Sequence, residues 1–354
     1  MTGIEDSRDP LDAIFRRLIA NYGPITLMHY MGESNARYYS GKDPLGSAGD
    51  FITAPEISQM FGELIGLWLA DMWIRAGRSE QVHYVELGPG RGTLARDALR
   101  AMKKYGLEPK VHFVESSAAL KDIQLAAVPQ AQWHHDMSTL PTRGPLLIVG
   151  NEFLDALPIR QLVKTAQGWR ERMVGLDVDE RFIPVAGDKP MDAAIPEARR
   201  EAEDGTLIET CPGASSIVYE VSGRLLAQGG AALLIDYGYD EPRTGSTLQA
   251  LREHKMVDPF TMPGEADLTA HVDFAAMANV VRSRGVRHLG TVTQGHWLRA
   301  LGIEARAQSL AKVAPQHAEA IQSAMHRLVA EDQMGTLFKV MGIGAPEWPL
   351  GAGF

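Results

Sequence analysis

Two N-terminal stretches place apolar side chains at the spacing of an α-helix. Leu11 to Tyr22 shows this period and stops at Gly23-Pro24, which predicts a helix. A second helix is predicted from Pro55 to Ala76, just before Gly77. The segment between them, Gly32 to Ala54, is rich in Gly, Tyr and Pro. An irregular stretch of this length inside a compact protein is typical of a functional loop or a disordered segment.

From residue 82 onward, short apolar runs alternate with helical periods, which is the pattern of a parallel sheet with crossover helices. Helices are predicted at Thr93 to Lys104 and at Ser215 to Gln228. The predicted strands of the sheet are Val82–Leu87, Val111–Glu115, Gln132–His134, Leu146–Gly150, Ala231–Asp236, Arg287–Thr293 and Leu337–Ile343. The sequence therefore predicts the α/β class.

Further β-like segments interrupt this alternation between the fourth and fifth strands. Gln161–Thr165, Arg170–Leu176 and Phe182–Val185 are joined by turns, and they predict an antiparallel insertion on the sheet edge at about residues 159–210. Helical patterns between Thr293 and Arg327 predict extra helices within about residues 260–330. We expect an N-terminal helical region at 1–80, with an active-site loop, and a core at 81–354.

Composition and charge narrow the functional class. The 354 residues contain 35 Lys and Arg against 44 Asp and Glu, and this net charge of −9 argues against a general nucleic-acid binder. Cys211 is the only cysteine, which excludes an internal disulfide and a cysteine-based zinc site. No stretch has the roughly 20 apolar residues that span a bilayer, and no targeting segment is recognised. We expect a cytoplasmic protein with neither nucleic acid nor a membrane as its partner.

The strongest local signal is the glycine loop Glu86-Leu87-Gly88-Pro89-Gly90-Arg91-Gly92-Thr93-Leu94, which follows the first sheet strand and begins a helix. A dinucleotide-binding loop has glycines at its first, third and sixth positions, but the sixth position counted from Gly88 is Thr93. Glycines at the first, third and fifth positions after an acid resemble the S-adenosylmethionine loop of class I methyltransferases. A dehydrogenase-type nucleotide loop and a merely tight turn remain as alternatives. The predicted cofactor contacts in this loop are Glu86, Gly88, Pro89, Gly90, Gly92 and Thr93.

Two acids follow the next strands. Glu115 ends the second strand, where a carboxylate, which only accepts hydrogen bonds, can bind both hydroxyls of a ribose. An NAD-binding domain needs the same acid, so Glu115 predicts an adenosine-type ligand without choosing between cofactors. Asp136 follows the third strand, where it can bind the adenine amino group or, equally, cap a helix ahead of Ser138.

The fourth strand ends in a segment that contains Asn151, Glu152 and Asp155. Ligands of open α/β sheets bind at the carboxyl ends of the strands, so we predict that these three residues face the transferred methyl group and its acceptor. A carboxylate can bind a guanidinium bidentately, localise its charge and free one nitrogen for attack, and Glu152 is the best candidate. The alternative for Asp155 and Asn151 is that they cap the next helix.

Other polar segments have structural explanations beside functional ones. Thr53 and Glu56 fit a capping box around Pro55. Asp236 ends the fifth strand at the same rim, where a turn is the alternative. Scattered histidines without a His-Glu-x-x-His motif predict no metal site, and the absence of a Gly-x-Ser-x-Gly elbow argues against a hydrolase.

The resemblance extends beyond the glycine loop to the MidA-like family of S-adenosylmethionine-dependent methyltransferases. This family includes the mitochondrial assembly-factor arginine methyltransferases of respiratory complex I. The matching segments occur in order over roughly residues 20 to 340. They are Tyr38–Ser40, Asp43–Gly46, Gly49–Glu63, Glu86–Leu94, Gly150–Pro158, Ile235–Gly238, Gly245–Gln249 and Asp267–Phe274.

This resemblance implies a Rossmann-like, seven-stranded core, S-adenosyl-L-methionine as the cofactor, and protein arginine N-methylation linked to complex I assembly. The acceptor would be a protein with an accessible arginine, such as a complex I quinone-site subunit. We expect a bacterial, cytoplasmic member, whereas the eukaryotic relatives belong to the mitochondrial matrix. Asp50, Phe51, Thr53 and Glu56 would form a lid over the acceptor site. A non-catalytic scaffold that binds the cofactor, and an NAD-type oxidoreductase, are the alternatives.

Overall fold

The computed structural model describes residues 10–41 and 53–354. The helices are α1 (Leu11–Tyr22), α2 (Leu27–Gly41), α3 (Ala54–Ile57), α4 (Gln59–Arg75), α5 (Thr93–Lys103), α6 (Lys121–Ala127), α7 (Pro212–Gln228), α8 (Phe274–Ser283), α9 (Gln294–Ala300), α10 (Ile303–Val313), α11 (Ala318–Val329) and α12 (Met334–Leu337). The strands are β1 (Ile25–Thr26), β2 (His83–Leu87), β3 (Lys110–Val114), β4 (Gln132–His134), β5 (Leu146–Asn151), β6 (Arg160–Thr165), β7 (Gly168–Leu176), β8 (Phe182–Pro190), β9 (Leu207–Thr210), β10 (Gly230–Tyr239), β11 (Gln249–Arg252), β12 (Lys255–Val257), β13 (Asp267–Thr269), β14 (Val272–Asp273), β15 (Arg287–Thr293) and β16 (Phe338–Gly344).

The described residues divide into two compact units. The first unit comprises residues 10–41, 156–213 and 243–270, and the second comprises residues 53–155, 214–242 and 271–354. Residues 53–80 thus belong to the same unit as the glycine loop. The division between the two units does not coincide with the boundary that the sequence predicted after residue 80.

The second unit contains the predicted parallel sheet. Its strand order is β15-β16-β10-β5-β2-β3-β4, with β14 paired to β10. Strands β4, β3, β2, β5 and β10 are parallel, whereas β16 runs antiparallel to both of its neighbours. Strands β2 and β5 are buried along their whole length, as expected for strands that are covered on both faces. The predicted α/β class is confirmed.

Close helix packing explains why the residues before position 80 join this unit. A Cβ atom on Gly66 of α4 would lie 2.3 Å from the carbonyl oxygen of Ala98 of α5, and one on Gly62 would lie 2.9 Å from Cβ of Asp97. Glycines at i and i+4 therefore let α4 contact the backbone of α5 directly. Larger side chains at these two positions would force the helices apart.

The first unit contains the predicted antiparallel insertion. Helices α1 and α2 pack on a sheet of order β1-β7-β6-β9, with β8 paired to β7, and β11 pairs with β12 and β13 in a smaller sheet. The rings of Phe15 and Tyr30 lie 5.1 Å apart in the core between these elements. The antiparallel pairing is confirmed. These strands form a sheet of their own, and the predicted place of the insertion at the edge of the parallel sheet stays a prediction.

Two N-terminal predictions need correction. Helix α1 has the predicted bounds, but α2 occupies part of the segment 32–54 that was predicted to be irregular. The helix forms because Leu27, Tyr30 and Met31 bury one face in the core, which offsets the glycines in this segment. The predicted helix 55–76 is divided at Ser58, whose backbone is extended and whose hydroxyl caps α4 by accepting a hydrogen bond from the Met60 N–H at 3.2 Å.

The remaining helical predictions agree with the structure. Helices α9, α10 and α11 occupy the C-terminal region where helical patterns were predicted. Among the described helices, none combines the length and apolar character needed to cross a membrane.

Three histidines on adjacent strands of the parallel sheet form a hydrogen-bonded chain. Nδ1 of His83 lies 2.9 Å from Nε2 of His112, and Nδ1 of His112 lies 3.0 Å from Nε2 of His134. At one end, Nε2 of His83 lies 3.0 Å from the carbonyl oxygen of Arg143. A carbonyl only accepts, so this nitrogen carries the proton, and when the rings are neutral each following Nε2–H donates to the preceding ring. The chain is complete with all three rings neutral.

Burial reinforces the neutral state of this histidine chain. It lowers the pKa of His83 and His134, and it lowers the pKa of His112 to about 4. The charges of the neighbouring histidines and of Lys110 act in the same direction on His112. Arg224 also lowers the pKa of His134, whereas Asp136 opposes it.

We expect acid to destabilise the protein through this chain. Unfolded histidines bind protons below about pH 6.5, whereas folded His112 stays neutral down to about pH 4. At His112 the unfolded state therefore binds more protons in this window, so the contribution of this residue to the free energy of unfolding falls as the pH decreases through it. Glu86 and Glu152, whose pKa values burial raises, act in the opposite direction. The urea midpoint of the wild type minus that of His112→Gln isolates the histidine contribution and should be lower at about pH 5 than at about pH 7.5.

His112→Gln cannot titrate at this position, so the midpoint of the wild type minus that of this variant should fall between about pH 7.5 and about pH 5. His135→Gln removes an exposed neighbour outside the chain, and the midpoint of the wild type minus that of His135→Gln should be the same at both pH values. A wild-type minus His112→Gln difference that does not change with pH would show that the chain does not cause acid sensitivity.

Candidate functional site

A cavity lies where β2 and β5 end side by side in the parallel sheet. Leu87 pairs with Gly150, so the two strands end in register before the chain continues into the glycine loop on one side and residues 151–155 on the other. Such a point between neighbouring parallel strands is where open α/β sheets bind ligands. The structure brings nine of the predicted site residues together around this cavity: Thr53, Glu56, Glu86, Gly88, Pro89, Gly90, Thr93, Asn151 and Glu152. Three unpredicted residues also line it: Pro55, Arg91 and Leu94.

The glycine loop needs its glycines. Gly88, Gly90 and Gly92 have φ angles of +63°, +54° and +78°. A Cβ atom on Gly88 would lie 2.7 Å from Cδ2 of Phe153, so both backbone conformation and space exclude a side chain there. The loop closes with a hydrogen bond of 2.8 Å from the Gly92 N–H to the Pro89 carbonyl, directly before α5.

Glu86 is a buried carboxyl group at the end of β2. Glu86 is 2% exposed, and its carboxyl group accepts a hydrogen bond from the hydroxyl of Tyr84 on the same strand. Burial raises the pKa of Glu86 to about 8, although the Tyr84 hydrogen bond opposes this shift. An acid in this state favours a cationic ligand, because the cation offsets the cost of burying the ionised form.

Glu115 lies outside the cavity lining but is connected to the glycine loop. The buried side chain of Gln124 donates hydrogen bonds to the Gly90 carbonyl at 2.8 Å and to Oε2 of Glu115 at 3.3 Å. Gln124 Oε1 accepts from Nε1 of Trp133 at 2.8 Å. Burial raises the pKa of Glu115. Gln124 was not predicted from the sequence, where a polar residue on the buried face of a short helix is its only signal.

Asp136 caps a short helix, as one of its two predictions stated. Its side chain accepts from the Ser138 N–H at 2.8 Å, at the start of a three-residue 3₁₀ helix. The hydrogen bonds from Ser138 lower the pKa of Asp136. Contact of Asp136 with an adenine amino group stays a prediction.

Glu152 faces the cavity from a left-handed backbone conformation, with φ +48°. Its Oε1 accepts from the Ala54 N–H at 2.8 Å and from Nδ2 of Asn151 at 3.0 Å. Burial raises the pKa of Glu152 to about 7, against the effect of these two hydrogen bonds. The charge of Asp155 also raises this pKa, and that of Arg327 lowers it.

Asn151 presents an unused acceptor beside Glu152. Asn151 is 9% exposed, and its Oδ1 is buried without a hydrogen-bond partner within residues 10–41 and 53–354. An unsatisfied buried oxygen is unfavourable, so a ligand that donates an N–H at this position would bind favourably.

Asp155 and Asp236 do not line the cavity. Residues 152–159 form turns and bends without a helix, so the alternative in which Asp155 or Asn151 caps a following helix is wrong. Asp236 is fully buried within β10, and its carboxyl group accepts hydrogen bonds from backbone N–H groups. The strand continues beyond it to Tyr239, so no turn begins at Asp236. The prediction that it faces the substrate at the rim needs correction, because its carboxylate is directed to the backbone after β5.

The predicted capping box at Thr53 and Glu56 is wrong. Thr53 precedes α3 without a side-chain capping bond. The carboxylate of Glu56 instead accepts from the hydroxyl of Thr93, at the start of α5. Two hydrogen bonds therefore connect α3 to the site: one from Thr93, directly after Gly92 of the glycine loop, to Glu56, and one from the Ala54 N–H to Glu152. Asp50 and Phe51, the other predicted lid residues, lie outside the described residues.

Comparison with known proteins decides the class. Residues 64–292 match the family "Putative S-adenosyl-L-methionine-dependent methyltransferase". The chain belongs to this family. Two curated relatives support the assignment, both named "Protein arginine methyltransferase NDUFAF7, mitochondrial". The Rattus norvegicus protein is 37% identical over 82% of this chain and 74% of its own length, and the Homo sapiens protein is 36% identical over 87% and 78%.

Solved structures agree with this family assignment. A crystal structure from Burkholderia thailandensis bound to S-adenosyl-homocysteine has a TM-score of 0.82 and 30% identity, covering 94% of this chain and 91% of that chain. A native crystal structure from the same organism has a TM-score of 0.81 and 30% identity, covering 97% and 95%. The predicted fold class, methyltransferase class and cofactor, S-adenosyl-L-methionine, are confirmed. The individual roles of the site residues stay predictions.

The described cavity fits this methyltransferase cofactor. S-adenosyl-L-methionine carries a cationic sulfonium and an α-ammonium group, and the cavity offers the Glu86 carboxyl. Arg91 also lines the cavity, and its positive charge would suit an α-carboxylate. The left-handed glycines allow close approach to the backbone.

We expect binding of S-adenosylhomocysteine, which keeps the α-ammonium group, to strengthen as pH rises from about 6.5 to about 8.5. Below its pKa of about 8, Glu86 is protonated and gives no ionic attraction, and above it the carboxylate is formed. Calorimetric titration across this range should show a falling Kd. Glu86→Gln should bind more weakly and with a flatter pH dependence, while Glu108→Gln, an exposed acid of the same unit, should match the wild type. Equal pH dependence in Glu86→Gln and the wild type would contradict this role.

Proposed function

We propose that the protein is an S-adenosyl-L-methionine-dependent protein arginine N-methyltransferase. The observation that carries the proposal is Glu152, a carboxyl group with a pKa of about 7 that faces the cavity beside an unsatisfied amide oxygen. A guanidinium offers a positive charge and several N–H donors, which match these two groups. The relatives named protein arginine methyltransferases support the same acceptor.

The cofactor would be held from two sides. Glu86 and the glycine loop would contact its amino-acid part, and Glu115, positioned by Gln124 against Gly90, would accept from the ribose hydroxyls. Asp136 would bind the adenine amino group. When bound, S-adenosyl-L-methionine supplies a methyl group on a positively charged sulfur that is ready for in-line displacement.

Glu152 would hold and activate the acceptor. Its Oε1 already accepts from Ala54 and Asn151, which leaves Oε2 to accept from the guanidinium, with Oδ1 of Asn151 as a second acceptor. These contacts localise the guanidinium charge on the held nitrogens, so the remaining nitrogen can attack the methyl group. The methyl–sulfur bond would break with its electron pair going to the sulfur, and the methylated guanidinium would lose one proton, which a carboxylate whose pKa is near 7 can accept. Asp155 contributes negative charge beneath this group.

The lid role of Asp50, Phe51, Thr53 and Glu56 is part of the proposal. The Glu56–Thr93 hydrogen bond and the Ala54–Glu152 hydrogen bond support it, since they place α3 against both the cofactor loop and the acceptor residue. A segment attached at these two points would exclude water from the transferred methyl group.

The acceptor protein that we propose is a complex I quinone-site subunit, and the place is the bacterial cytoplasm. The resemblance to the complex I assembly-factor methyltransferases supports the acceptor. The net charge of −9 is compatible with a substrate segment that carries a basic residue.

Replacing Glu152 tests the catalytic role. Glu152→Gln keeps the shape and the acceptor oxygen but loses the charge that localises the guanidinium and accepts its proton. We expect the initial rate of labelled-methyl transfer into an extract of cells lacking this protein to fall by about 100-fold or more. The affinity for S-adenosylhomocysteine should stay within about threefold.

Glu108→Gln should retain the wild-type transfer rate as the matched control. Wild-type turnover in Glu152→Gln would refute the proposed role of Glu152. Strong cofactor binding without any transfer by the wild-type protein would instead favour the non-catalytic scaffold.

A further inference from the structure

The backbone after β5 is held in an unfavourable shape. Glu152 has φ +48°, a left-handed conformation that side-chain-bearing residues rarely adopt. The chain then turns through residues 153–155 without forming a helix, so the N–H groups of this turn lack helical partners. Such a conformation at a site persists only where its surroundings hold it.

The side chain of Asp236 stabilises this turn through hydrogen bonds to its backbone. Its Oδ2 accepts from three successive backbone N–H groups, those of Phe153 at 3.1 Å, Leu154 at 2.9 Å and Asp155 at 3.2 Å. Its Oδ1 accepts from the Tyr237 N–H at 2.9 Å. The residue is 0% exposed, so water does not compete for these bonds.

The strand pairing brings Asp236 directly to this turn. Asn151 pairs with Ile235 in parallel register, and the Glu152 N–H donates to the Ile235 carbonyl at 2.9 Å. The next residue on β10, Asp236, therefore lies beside the point where β5 leaves the sheet. The left-handed residue Glu152 is fixed from both sides, by the sheet before it and by the Asp236 carboxylate after it.

We propose that Asp236 is a positioning residue that fixes the turn 152–155 and thereby aims the Glu152 carboxylate at the methyl acceptor. The proposal rests on the proposed function, because it assumes that Glu152 binds the acceptor. Asp236 itself does not line the cavity and does not touch substrate. Its effect on the reaction passes through the backbone of the turn.

The chemistry of the side chain makes this role sensitive to a single atom. The Asp236 carboxylate accepts on both oxygens, and all four of its described partners are N–H donors. Asparagine has one accepting oxygen, and its NH₂ group would face an N–H group on the other side. Asp236→Asn should therefore release part of the turn and let Glu152 leave its half-buried position.

The test uses the full chain and the labelled-methyl assay at saturating S-adenosyl-L-methionine. We expect the initial rate of Asp236→Asn, per folded protein, to fall by about 10- to 100-fold while the affinity for S-adenosylhomocysteine stays within about threefold. In the wild type, a Glu152 pKa of about 7 predicts a rate about tenfold higher at pH 8 than at pH 6. This ratio should fall toward one in Asp236→Asn, because a released Glu152 regains an ordinary carboxyl pKa.

Asp97→Asn is the matched control, since Asp97 is also buried, at 1% exposure, in the same unit but far from β10 in the sequence. Asp97→Asn should retain the wild-type ratio of the rate at pH 8 to the rate at pH 6, even if its thermal unfolding midpoint falls. If Asp236→Asn does not fold, Asp236→Glu gives the same test, because its longer side chain displaces the carboxylate from the three N–H groups.

An Asp236 variant with the rate and pH ratio of Asp97→Asn would overturn the positioning role. This outcome differs from failure of the proposed function. Glu152→Gln would still be inactive if only the positioning role is wrong, whereas an active Glu152→Gln would overturn both.

Discussion

The burial of carboxyl groups at the C-terminal edge of a parallel sheet is the constraint on which the site depends. Strands β2 and β5 are buried along their whole length, and Leu87 and Gly150 pair near their ends, so Glu86 near the end of β2 and Glu152 directly after β5 lie in a poorly solvated region. Burial raises the pKa of both groups, to about 8 and about 7. Each such pKa unit disfavours the ionised form by about 1.4 kcal/mol, which an incoming cation can offset. A cofactor and an acceptor that are both cationic fit this electrostatic state.

Backbone hydrogen bonds locate these charges more than side-chain packing does. The Ala54 N–H reaches Glu152 from α3, Gln124 connects the Gly90 carbonyl with Glu115, and three N–H groups of the turn converge on Asp236. In the methyltransferase that we propose, no residue of the protein forms a covalent bond with the transferred methyl group. Most of the rate must then come from alignment, so interactions that fix the backbone are as important as those that contact the ligand.

Much of this arrangement could be predicted from the sequence because it depends on local patterns. The apolar runs predicted seven strands, all of which lie in the parallel sheet, and the glycine spacing predicted the loop whose Gly88 and Gly90 line the cavity. What could not be predicted depends on contacts between distant segments. Glu56 has a sequence context that fits a capping box, but it bonds Thr93, and only the pairing of β10 with β5 brings Asp236 to the turn after Glu152. Helix α2 was missed because its glycines weaken the local signal, while its buried face forms only against the core of its own unit.

The most direct test of the account is the identity of the amino acid that receives the methyl group. Extract of cells lacking this protein would be incubated with the purified chain and S-adenosyl-L-methionine that carries a deuterated methyl group. The proteins would then be digested and analysed by mass spectrometry. The account predicts deuterated methyl groups on guanidino nitrogens of arginine, dependent on the added protein. Deuterated methyl groups confined to lysine, glutamine or carboxyl groups would contradict it.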